Sequence, residues 1–231
     1  MSTNHNAETP EMMESIGEAM SKTELFFEEN GKKISYGIFA LLIVAAVIFG
    51  YKTLVIEPKA QKGAEAISNA QNIFEQETPD YQAALNGNDL GAGFLEVIEA
   101  YGSTPAGNLA SHYAGICYLQ LGDFDNAAKY LAKYKAVDGI PASIINAQNI
   151  GLQGDIAVEM GEFAKAEALY AKAIKASDNI ISAPMYMQKA ALVAIANGNT
   201  EKAKELLEAI SANYANSTEA RSAEKYLGTI K

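Results

Sequence analysis

Few side chains here are suited to nucleophilic, redox or metal chemistry: two histidines, His5 and His112, and one cysteine, Cys117. None falls in an H-E-x-x-H or C-x-x-C arrangement, and no paired Cys/His set offers metal-ligand spacing. A single cysteine cannot form an internal disulfide framework. Cys117 lies in an apolar helical run, where a thiol acts as a small buried hydrophobe. His5 belongs to an acidic N-terminal stretch; His112 sits on a helix, in a groove-lining or partly buried role. Gly87-x-x-x-Gly91-x-Gly93 lacks the Lys-Ser/Thr that completes a phosphate-binding loop, so it reads as loop and helix start. The acidic pair Asp123/Asp125 lies in a turn and reads as solvated. The expectation is a chain without catalytic residues, metal or cofactor. A net charge of −10 adds that nucleic acid is not the partner, because a phosphate backbone calls for a basic stripe.

The elements available to position side chains begin with a membrane segment. Ile34–Tyr51 is eighteen residues without a charge, and Leu54, Val55 and Ile56 extend it. Tyr36 and Phe39 at one end, with Phe49 and Tyr51 at the other, suit the two interfacial zones. A buried core helix or a signal-peptide apolar region is the alternative. The segment starts deep in the chain behind an acidic tail, and no A-x-A site follows it, so an uncleaved single-pass anchor is expected. No cysteine follows closely, which excludes a lipoprotein anchor. Lys22, Lys32 and Lys33 before the span balance Lys52, Lys59 and Lys62 after it, and the adjacent Lys32-Lys33 pair tips the N-terminus inside. Residues 1–31 carry seven acidic groups and one lysine. Within them Met12, Met13, Ile16, Met20 and Phe27 fall roughly on one face, so Pro10–Glu29 reads either as a short amphipathic helix or as a solvated tail. Ala46-x-x-x-Gly50 offers a small-residue face that could pack on another helix.

Beyond the span the periodicity is helical throughout. Ala60, Ala64, Ile67, Ala70, Ile73 and Phe74 recur at three and four over Lys59–Gln76, and Glu77-Thr-Pro-Asp ends that helix. Asn86-Gly-Asn-Asp is read as a loop with Asp89 capping a helix from Leu90 to Tyr101. Then one grammar recurs three times: Leu121-Gly-Asp-Phe-Asp-Asn-Ala127, Met160-Gly-Glu-Phe-Ala-Lys-Ala166 and Asn197-Gly-Asn-Thr-Glu-Lys-Ala203. Gly122, Gly161 and Gly198 lie 39 and 37 residues apart. A recurrence near that period marks stacked helical hairpins, none of which can bury its own apolar face alone. The pairs are Asn108–Leu121 with Phe124–Ala136, Ala147–Met160 with Phe163–Ser177, and Pro184–Asn197 with Thr200–Tyr214. A last helix runs from Ser217 to Ile230. Phe94-Leu-Glu-Val-Ile-Glu-Ala-Tyr-Gly-Ser-Thr and Leu206-Leu-Glu-Ala-Ile-Ser-Ala-Asn-Tyr-Ala-Asn-Ser form a second echo.

These units resemble the tetratricopeptide repeat (TPR). Ala114-Gly115, Tyr118, Gly122-Asp123-Phe124 and Ala127 carry the likeness in the first unit. Gly154, Ala157, Gly161, Phe163, Ala166, Tyr170 and Ala173 carry it in the second. In the third Ala191, Ala194, Gly198, Ala203 and Leu207 fit, with Thr200 in place of the aromatic. The Tyr-x-x-Ser/Thr joint resembles that of bacterial envelope TPR proteins and makes Leu90–Tyr101 similar to the second helix of a divergent first unit. The expected fold is all-α, a single N-terminal transmembrane helix followed by a TPR-like helical-hairpin solenoid. Its parts are an acidic tail (1–33), the anchor (34–56), a stalk and loop (57–88), the repeats (89–216) and a C-terminal capping helix (217–231).

This layout resembles the ancillary Sec translocon subunit (YfgM-like) family. The resemblance implies a bacterial inner-membrane protein, N-terminus cytoplasmic and repeats periplasmic. It implies a scaffold for protein export whose partners are the Sec translocon, a membrane-anchored peptidyl-prolyl isomerase-type chaperone and unfolded secretory chains. In such arrays the first helix of each unit lines the binding face. Carried over, the partner-binding positions are Leu109, His112, Ile116 and Gln120, then Gln148, Asp155 and Glu159, then Met185, Gln188 and Leu192. Their mixture of apolar, amide and acidic groups suits extended polypeptide with apolar or basic segments and lacks the basic clamps that a C-terminal carboxylate calls for. A cell-envelope coordinator in division or outer-membrane assembly, a structural tether without clients, and an enzyme using the array for specificity are the competing readings.

Overall fold

The structure, a computed structural model, describes residues 10–176 and 179–230. Contacts divide the chain into two units, Met1–Pro58 and Lys59–Lys231.

The first unit is helical. α1 runs Pro10–Tyr51 and is followed by one wider π-turn, Lys52–Ile56. Such single-turn widenings insert a residue into the helical ladder; here Thr53 Oγ1 donates to the Phe49 carbonyl at 3.0 Å. Among the described residues nothing covers the apolar stretch, with Tyr36, Leu41 and Phe49 each 70% exposed or more. By length and composition this helix can cross a membrane, a description that a signal sequence also meets. The tail's first nine residues, His5 among them, lie outside the described residues, as does the apolar face proposed for Met12, Met13, Ile16 and Met20.

The second unit is built from helices laid pair upon pair. α2 (Glu57–Phe74), α3 (Tyr81–Asn86) and α4 (Phe94–Tyr101) precede the three full pairs. These are α5 (Pro105–Gln120) with α6 (Phe124–Lys133), α7 (Ile140–Glu159) with α8 (Phe163–Ala176), and α9 (Ser182–Ala196) with α10 (Thr200–Asn213). α11 (Thr218–Leu227) closes the array. Within each pair the turn glycine adopts a left-handed backbone, φ 75° at Gly122, 73° at Gly161 and 78° at Gly198, where a side chain would be strained. The alanine five residues on, Ala127, Ala166 or Ala203, is fully buried. Small residues there let the two helices of a hairpin approach closely. A Cβ on Gly115 would stand 2.5 Å from Leu131 Cγ, so α5 and α6 meet where only hydrogen fits.

The two echoing corners fold alike. Thr104 N–H donates to the Tyr101 carbonyl and Ser217 N–H to the Tyr214 carbonyl, both at 2.8 Å. Each hydroxyl then caps the next helix by accepting from Gly107 or Ala220 N–H.

Several boundaries differ from the sequence reading. α4 begins at Phe94 and not at Leu90, because Gly87–Asn88 and Gly91–Ala92 pair as a minimal antiparallel hairpin. Asp89 lies in that hairpin's turn, and Gly93 takes the position before α4 that Asp89 was expected to hold. The glycine-rich stretch is therefore an ordered corner, closed by Asn69 Nδ2 donating to the Ala92 carbonyl at 3.2 Å. α3, capped by Asp80, was not foreseen: six residues are too few to show a period. α7 starts seven residues before Ala147, since Pro141 fits a first helical turn, and α5 starts at Pro105 for the same reason.

The candidate interaction face of the repeats

α5 touches α7 and α7 touches α9, so the first helices of the three pairs form one layer. All ten positions expected to meet a partner lie on these helices. Gln120, Gln148 and Glu159 are exposed; Leu109, Ile116, Asp155, Met185, Gln188 and Leu192 are half-buried. His112 is 1% exposed, which takes its ring off the presented surface.

His112 is held by a directed chain of hydrogen bonds. Gln153 Nε2 donates to Asn149 Oδ1 at 2.8 Å. That leaves Asn149 Nδ2 facing His112 Nδ1 at 3.2 Å, while Nε2 of the ring meets Gln148 Oε1 at 3.3 Å. With Asn149 as donor, the neutral Nε2–H tautomer satisfies every partner. Burial pushes the histidine down to about 4, and the Gln148 bond opposes this only in part. The tilted rings of Tyr113 and Tyr134, 5.8 and 5.5 Å away, pack beside it. His112 and Gln148, each expected to meet a partner, thus meet each other across α5 and α7.

Across α7 and α9 the join is ionic. Lys189 Nζ reaches both Asp155 oxygens at 2.7 and 2.8 Å, and Tyr170 OH donates to Asp155 Oδ1 at 2.7 Å. Burial and then the Asp155 carboxylate hold the Tyr170 phenol above its ordinary range. Burial also pushes Tyr186 up to about 12. Asp155 therefore arrives at the surface already neutralised, whereas Glu159, one turn on, has no ion pair among the described residues. Cys117 is fully buried, and burial pushes its thiol up to about 12, so at neutral pH it is not a thiolate.

Three asparagines escaped the sequence reading. Asn108 accepts from Lys135 N–H at 2.7 Å and donates to its carbonyl at 2.8 Å. Asn146 accepts from Tyr134 OH at 2.9 Å and from Val137 N–H at 3.2 Å, and donates to the Val137 carbonyl at 2.8 Å. The two brace the long link between the first and second pairs; Asn149 orients His112. No period marks such residues, so helical spacing does not reveal them.

Helical pairs joined by left-handed glycines and stacked through their first helices define an all-α helical-hairpin solenoid. Family models of the tetratricopeptide repeat match the chain over residues 110–137 and 186–217, and over residues 147–180. No curated protein matches it. The chain carries TPR repeats, the fold of scaffolds that bring proteins together, with one long apolar helix ahead of them.

Proposed function

We propose that this protein is a membrane-anchored, non-enzymatic TPR scaffold ancillary to the Sec translocon and to membrane-anchored isomerase-type chaperones in protein export. On this reading the N-terminus is cytoplasmic and the repeats face the periplasm. The observation that carries the interaction role is the layer of first helices. It presents Ile116, Gln120, Gln148, Gln188 and Leu192, apolar groups beside amides, which is the chemistry that an extended chain with free backbone groups can meet. The bare apolar stretch of α1 supports the anchor, because an uncovered surface of that size is stable only against lipid or protein. The resemblance in layout supports the export role, and the cell-envelope coordinator remains the second reading.

The test has two arms on native membranes. Protease added to spheroplasts should digest residues 58–231 and spare the tail; protected repeats would overturn the topology. Full-length protein purified from gently solubilised membranes should bring translocon subunits with it, and deletion of residues 89–216 should lose them. Retention of those subunits after the deletion would place the contact on the anchor and not on the repeats.

A further inference from the structure

A cleft of about 430 Å³ opens where the first full pair meets the second, lined by Leu119, Phe124, Asp155, Val158, Glu159 and Tyr170. Its walls come from both ends of the α5–α6 turn and from facing positions on α7 and α8. Three of the six are apolar side chains, two are carboxylates and none is basic.

The two carboxylates are not equivalent. Lys189 already sits on both oxygens of Asp155, so that charge is answered from within the fold. Glu159 is exposed at the C-terminal end of α7 and carries no ion pair among the described residues. One uncompensated negative charge therefore lines an open cleft of mixed polarity, beside the apolar side chains of Leu119, Phe124 and Val158. Lysine and arginine fit such a place: the aliphatic stem covers apolar wall while the charged head reaches the carboxylate. Asp155 with Lys189 shows the same contact made internally one turn away.

We propose that this cleft receives a basic side chain from an extended, otherwise apolar polypeptide, the stem lying against Leu119, Phe124 and Val158 and the cation on Glu159. The proposal rests on the scaffold reading and adds to it the chemical class of the segment selected. Apolar flanks give the partner its contact area. The single free carboxylate gives preference for basic over neutral or acidic segments, through a contact that salt screens.

The experiment uses the full chain in lipid nanodiscs and labelled ten-residue peptides of one leucine frame, with arginine, serine or glutamate at alternate positions. At low salt the arginine peptide should bind up to about fivefold tighter than the serine peptide, the upper end for one exposed ion pair, with the glutamate peptide weakest. Glu159→Lys should erase the arginine advantage. It leaves the fold intact, since Glu159 is exposed and a cation suits a helix C-terminus. Glu224→Lys makes the same change of net charge on α11, away from the cleft, and should keep the advantage. Equal loss in both variants would mean that total charge is at work and would overturn the proposal. Equal binding of arginine and serine peptides would overturn it while leaving the scaffold reading standing. Binding of no peptide would count against both.

Discussion

Burial keeps His112 neutral down to about pH 4, against 6.5 for an exposed histidine. The folded value is the lower one, so the unfolded chain takes up the proton first. The contribution is therefore complete above pH 6.5 and is lost as the pH falls from there toward 4. Fully developed, the loss is about 3 kcal/mol. Urea titrations at a series of pH values should show this fall in the wild type, with a shallower one in His112→Gln. Parallel curves would mean the ring is not the acid-sensitive group. Glycines give a second contrast. A Cβ on Gly154 would meet Tyr170 Cε1 at 2.7 Å, whereas one on Gly161 meets nothing within 4 Å but needs a backbone φ of 73°. Gly154→Ala should cost about 1–3 kcal/mol through overpacking. Gly161→Val should cost a similar ~1–3 kcal/mol through backbone strain, while Gly161→Asn should cost less. If Gly161→Asn proved as damaging as Gly161→Val, the left-handed turn would not be the cause.

The pairing of helices was legible because its signals are local and periodic. A glycine that must be left-handed, an alanine that must be buried and an aromatic near them repeat at a fixed interval, and each has one physical use. The hairpin at Gly87–Ala92, the six-residue α3 and the braced link after α6 have no period. They are held by single contacts such as Asn69 to Ala92 and Asn108 to Lys135, which composition does not announce. Asn108→Ala removes two backbone partners at once and should cost about 1–2 kcal/mol, with faster hydrogen exchange confined to residues 133–139. The array's last element carries its own expectation. Ala220 and Ala223 of α11 pack with Met187, Leu207 and Ile210, so ending the chain before Ser217 uncovers that cluster. The truncated protein should aggregate or lose part of its helix by circular dichroism. A monodisperse, fully helical product would show that α11 is not a cap.

At the scale of the whole molecule, an apolar helix without protein cover and a stack of TPR pairs are different devices, one suited to lipid and one to polypeptide. Of the face that would meet a partner, the helices were readable in the sequence, whereas which of their side chains turn to a neighbouring helix was not. The ring nitrogens of His112 are taken up by Asn149 and by the side-chain carbonyl of Gln148, and the Asp155 charge is answered by Lys189. The same helical offset can thus point to a neighbouring helix or to solvent, and only the packing of the next pair decides which. The most direct test is a photo-crosslinking scan of the full chain in native membranes, with one probe at a time. Probes at Ile116, Gln120, Gln188 and Leu192 on the first helices should capture translocon subunits or secretory chains. Probes at Lys172 and Glu205, exposed on the second helices, should not. Capture of the same partners from the second helices, with none from the first, would contradict the assignment of the binding face.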